Sequence, residues 1–196
     1  MPSPAAVRYQ TLAANAKMMM DIDRNAVDRQ ERQILFGAIF VAQVAAWNAY
    51  VASSIDCFFD AVSDPFDKNF SAMFALSSQA AKAQLSRFST PNSENARTLI
   101  FNCTGYDPWM DWQWSAKGMS ALTTRERLNE MLKVRHSLAH GFSMPSYSWN
   151  RTQSGEVRLT MQLLRWNRSF LGHLVTTTDT GLKAHIYQNY GSGPNW

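Results

Sequence analysis

Along most of the chain apolar residues recur at the spacing of three and four that lines one face of an α-helix, and the two-residue alternation of strands is sparse. This pattern predicts an all-α fold. Residues 21 to 62 read as one or two long helices, polar and charged as far as Arg32 and almost wholly apolar beyond it. The apolar part is expected to form the central helix of a bundle. Its run from Ile34 to Val51 is long enough to trigger a membrane reading, but Gln43 and Asn48 interrupt it, Ser53 and Ser54 follow, and alanine dominates. That composition favours a helix buried among other helices, with no membrane partner. Asp64-Pro65 breaks the pattern, and residues 68 to 88 resume it with Phe70, Phe74 and Leu85 as core contacts. A second break at Thr90-Pro91-Asn92-Ser93 offers Ser93 as the cap of a short helix through Asn102.

Thr123 and Glu126 carry the capping-box spacing and mark a helix start near Thr123, while Gly141 supplies the stop. At about 100° per residue, Leu128, Met131, Leu132, Leu138 and Ala139 share one stripe, and Arg135 projects into it. A guanidinium there requires a carboxylate partner, a wet cleft or a subunit interface, unless it snorkels. Ahead of this helix, residues 105 to 114 hold Trp109, Trp112 and Trp114. Such rings either stack on unpaired bases or plug a loop against the core, and the second use is the commoner. A last helix spans residues 157 to 187, with an interruption expected at 176 to 181.

The 196 residues fit a single domain, residues 1–196, with its core at about 25 to 188 and flexible termini. A formal net charge of +4, scattered rather than clustered, favours local contact with a polyanion over a long basic stripe. Cys57 and Cys103 lie far apart in apolar surroundings, which suits reduced thiols and a cytoplasmic location. No secretory leader pattern opens the chain. The four histidines and two cysteines show no metal-ligand spacing, and no glycine-rich phosphate loop is present, so neither a metal nor a cofactor is expected.

The candidate chemistry lies in Arg135-His136-Ser137-Leu138-Ala139-His140-Gly141. Arginine keeps its charge and presents a planar fork to phosphate oxygens, while histidine gives or takes a proton near neutrality. Together they suit phosphodiester chemistry without a metal. Five residues of ideal helix set Arg135 and His140 about 140° apart around the axis, so either the helix end bends or a two-fold partner completes the site. Arg168 and His173 repeat the same spacing, but their neighbours give them ordinary surface and core-edge roles.

Two segments resemble the HEPN superfamily, and within it the RiboL-PSP-HEPN group. Ala46-Trp47-Asn48-Ala49-Tyr50-Val51 is similar to that group's Trp-Glu-x-Tyr-Val helix, and residues 135 to 141 to its Arg-polar-x-x-Ala-His-Gly motif. The resemblance spans about residues 30 to 180. It implies a bundle of four to five main helices that forms a homodimer, with paired motif helices making an RNA-cleaving cleft. It further implies a metal-independent endoribonuclease, acting as a toxin or antiviral-defence effector and held in check by an antitoxin or regulatory partner. Arg135 would hold the scissile phosphate and His140 would move protons, with His136, Asn48 and Asp56 as accessory positions. Asn48 stands where the group carries glutamate, and Asp56 is the nearest carboxylate on that helix. The alternative is a non-catalytic module that uses the same cleft to bind RNA, a nucleotide or a protein.

Overall fold

Six α-helices and no strands occupy the described residues of the computed structural model, namely 1–22, 28–63, 68–191, 193, 194 and 196. The fold is all-α, as the periodicity predicts. The helices are α1 (Pro4–Met20), α2 (Arg29–Val62), α3 (Lys68–Leu85), α4 (Ser93–Thr104), α5 (Ala121–His140) and α6 (Met161–Tyr190). The five expected helices are present and α1 precedes them. The expected break at Asp64-Pro65 lies outside the described residues.

α2 is the axis of the bundle. Asp28 caps it, accepting from the amides of Gln30 and Glu31 while Glu31 reaches back to the Asp28 amide, so its first orphan donors are satisfied. Phe40, Trp47, Tyr50, Val51 and Ile55 are fully buried along it. By length and composition α2 is able to cross a membrane, and half of its most apolar window is buried inside this fold. Gln43, the polar interruption in that window, donates to the Leu164 carbonyl at 3.0 Å and so ties α2 to α6.

Buried core positions occur within the first twenty residues, ahead of the expected start near residue 25. Ser3 caps α1 by accepting from the Ala6 amide, and Pro4 sits in the first turn where its missing N–H costs nothing. Ala5, Tyr9, Ala13, Ala16 and Met20 are buried, and α1 runs antiparallel to α2, with Arg8 donating to Ser53 and the Tyr9 and Tyr50 rings 6.5 Å apart. Ser3 also bonds Asp179 on α6 through both its amide and its hydroxyl.

Three boundaries differ from the sequence reading, each for a local reason. Asn92 rather than Ser93 caps α4, accepting from the Asn95 amide. Ser120, not Thr123, caps α5, so the Thr123–Glu126 spacing falls inside the helix and forms no capping box. α6 starts at Met161 under a Thr160 cap and continues unbroken through residues 176–181. Its threonine hydroxyls there bond back to carbonyls one turn earlier, Thr176 to Gly172, Thr177 to His173 and Thr180 to Thr176, which leaves the helix intact. Gly141 does end α5, at φ 69°, a left-handed position that glycine adopts at little cost.

Candidate functional site

α5 packs antiparallel against α2. At one end Gly37 faces Leu138 so closely that a Cβ on Gly37 would stand 3.6 Å from Leu138 Cδ2. At the other, Trp47 donates to the Pro91 carbonyl at 2.9 Å, and Asn129 accepts the Ser93 amide at 2.9 Å. Leu128, Met131 and Leu132 fill the seam as expected. Over the last two turns the buried side moves round to Val134 and Ser137, leaving Arg135 half-buried and Ala139 exposed. Arg135 therefore lies at the margin of the core rather than within it. It makes no hydrogen bond or ion pair among the described residues.

His136 and His140 are exposed on the same side of α5, one turn apart, with ring centroids at 4.4 Å. Phe142, also exposed, stands 6.0 Å from the first ring and 5.9 Å from the second. α5 stays helical through His140, so its end does not bend to bring His140 round to Arg135. One chain thus presents an imidazole pair on one face and an unpartnered guanidinium on the next.

Of the accessory positions His136 is gathered there, and Asn48 and Asp56 are not. Asn48 and Asp56 lie about 16 and 28 Å further along α2 from Gly37, at 1.5 Å per residue, so α2 brings neither to Arg135 within one chain. Asn48 is half-buried with a side-chain oxygen that lacks a donor, and Asp56 is exposed. Among the described residues no group of three or more histidine, cysteine or acidic side chains is arranged to hold a metal ion. Cys57 and Cys103 are free, and burial pushes both thiols up, Cys103 to about 11.

The tryptophan-rich loop packs against the bundle. Trp112 is fully buried and donates to Thr178 Oγ1 at 2.8 Å, and Trp114 packs on Trp166 and Phe170. Trp109, half-buried, lies under two guanidiniums, those of Arg97 at 3.9 Å and Arg125 at 3.7 Å. The second arginine–histidine pair is structural on its histidine side, where the His173 ring stacks on Trp114 at 4.9 Å and donates to the Gln113 carbonyl. Arg168 is exposed.

One buried charge escapes the sequence reading. The cation buried in α5 is Arg127, at 6% exposure, whose guanidinium carbon lies 3.5 Å from the Trp149 ring and 4.5 Å from that of Trp166. It donates to Asn167 Oδ1 at 2.9 Å. Burial pushes its pKa down to about 9, with Glu130 opposing. Arg127 falls on the face shared by Thr124, Met131 and Val134, and that spacing is the sequence signal for it. A cavity of about 700 Å³ opens beside it. Comparison of the chain with protein-family models, with curated proteins and with solved structures finds no match.

Proposed function

We propose that the chain is an endoribonuclease of HEPN type that cleaves RNA at the C-terminal end of α5. The observation that carries this reading is the exposed His136–His140 pair beside Arg135, a guanidinium with no partner of its own among the described residues. Free hydrogen-bond donors on a permanent cation fit phosphate oxygens, and two adjacent imidazoles supply a proton acceptor and a proton donor.

The reaction needs nothing that RNA and these side chains lack. One imidazole takes the proton of a ribose 2'-hydroxyl, and the 2'-oxygen forms a bond to the adjacent phosphorus. The bond from phosphorus to the 5'-oxygen breaks, and a protonated imidazole returns a proton to that leaving oxygen. Products carry a 2',3'-cyclic phosphate and a free 5'-hydroxyl. The guanidinium stabilises charge gathering on the phosphoryl oxygens. DNA, without the 2'-hydroxyl, is not a substrate. Because Arg135 and His140 diverge on a straight helix, we assign the complete site to a two-fold pair, in which Arg135 of one copy meets the imidazoles of the other.

The test is end-group analysis of RNA incubated with purified protein in chelator. Cyclic-phosphate and 5'-hydroxyl ends are expected, with Arg135→Ala and His140→Ala each slowing cleavage by about 100-fold or more while the circular dichroism spectrum is unchanged. Both residues are away from the packed seam, so loss of fold is not an expected cause. Cleavage at the parent rate in both variants overturns the assignment.

A further inference from the structure

The cavity of about 700 Å³ lies between the first half of α5, the turn at residues 148–153 and the start of α6. Its volume falls within the range of small-molecule sites. Arg127 forms part of its wall. A guanidinium carries five N–H donors, yet among the described residues Arg127 is bonded only to Asn167, its Nε has no acceptor, and no carboxylate lies within the 4.0 Å of an ion pair. The two indole rings compensate part of the charge but accept no strong hydrogen bond. A nine-tenths buried cation in that condition is costly unless an anion reaches it.

The rest of the wall supplies the complement. Arg151 and Arg158 also line the cavity, the first exposed and the second half-exposed with a buried Nε that has no acceptor. Arg158 meets Glu156 at 3.6 Å, but that carboxylate lies outside the wall and is shared with Arg29. Glu126 and Glu130 face the cavity, and Glu130 is already engaged by the Trp149 indole N–H at 2.7 Å. Three guanidiniums against two carboxylates leave an excess of one positive charge in the wall, which suits a phosphate monoester and disfavours a polyphosphate. The Trp149 ring already packs against the Arg127 guanidinium and, at 5.7 and 6.4 Å, against the Tyr147 and Phe40 rings, so recognition rests on charge and hydrogen bonds rather than on base stacking.

We propose that this cavity binds a phosphorylated small molecule of about mononucleotide size, its phosphoryl group held by Arg127 at the base and by Arg151 and Arg158 at the mouth. The carboxylate of Glu126 and the neutral side chains of Thr152 and Gln162 in the wall then take the ligand's hydroxyls. Arg127 precedes Arg135 by about 12 Å of helix, so this site and the cleavage site are separate and each can fail without the other.

The experiment is titration of the full chain with inorganic phosphate, the four ribonucleoside monophosphates, the corresponding nucleosides, a triphosphate and citrate, read by tryptophan fluorescence and calorimetry at low salt. Trp149 and Trp166 sit in the wall and report occupancy directly. At least one monophosphate is expected to saturate with a Kd below about 1 mM, while its nucleoside does not. Arg151→Gln with Arg158→Gln should weaken that binding by about tenfold or more at unchanged melting temperature, and these rim changes keep the test valid should Arg127→Met fail to fold. The proposal is overturned by an absence of saturable monophosphate binding up to about 10 mM, by equal binding of nucleoside or citrate, or by parent affinity in the rim double variant.

Discussion

Gly172 and Gly181 occupy the same helix, and the same substitution should have opposite signs at the two. In α6 interior positions alanine is favoured over glycine by about 1 kcal/mol, because glycine loses more backbone freedom on folding. At Gly172 an added methyl meets nothing within 4 Å, so Gly172→Ala should stabilise by about 0.5–1 kcal/mol. At Gly181 the methyl carbon would stand 2.0 Å from Tyr106 Oη and 2.5 Å from both Tyr106 Cζ and Asp111 Oδ2. Asp111 is exposed and can swing away, but the Tyr106 ring is buried at 7% exposure and must move by more than 1 Å to reach ordinary contact. Its phenol donates to Asp111, and burial together with that bond pushes the phenol pKa up, so it remains a donor throughout the working range. Overpacking of this kind costs about 1–3 kcal/mol and a lost hydrogen bond about 1 more, against the roughly 1 kcal/mol helix gain. Gly181→Ala should therefore destabilise by about 1–3 kcal/mol and lower the melting temperature by about 2–10 °C. Urea unfolding followed by tryptophan fluorescence measures both variants side by side. Equal stabilisation by the two would refute the packing of Tyr106 against α6.

Two further outcomes follow from single contacts. Thr178→Val removes the acceptor of the fully buried Trp112 indole N–H and should cost about 1–3 kcal/mol by the same unfolding assay, whereas a neutral result would mean the loop is not anchored there. Arg97 bonds Asp107 through two nitrogens and holds its carboxyl below the usual carboxylate range, so the folded chain takes up this proton less readily than the unfolded one. The stabilisation is complete above about pH 4 and is lost as pH falls through the lower folded value, so Asp107→Asn should flatten the acid limb of the stability curve below about pH 4, and an unchanged limb would count against the pair.

The helices of this chain are legible where large apolar residues repeat, and their absence explains the two places where the reading goes astray. α1 does carry a helical spacing, at residues 5, 9, 13, 16 and 20, but three of those five are alanines, whose burial reflects close approach of two backbones rather than apolar bulk. Thr176 to Gly181 looks like a break because threonine and glycine are weak helix formers, whereas tertiary contact to Trp112 and Tyr106 is what selects them. The site shows the same division between local and distant information. Arg127 and Arg135 both fall on or beside the apolar stripe of α5, and periodicity alone ranks them alike. What separates them is the delivery of two indole rings, from Trp149 and Trp166, to one and not the other. A guanidinium enters a core when aromatic faces and an amide oxygen are brought to it from elsewhere in the chain. Arg135 receives neither and keeps its donors free at the margin, one face round from the exposed His136–His140 pair.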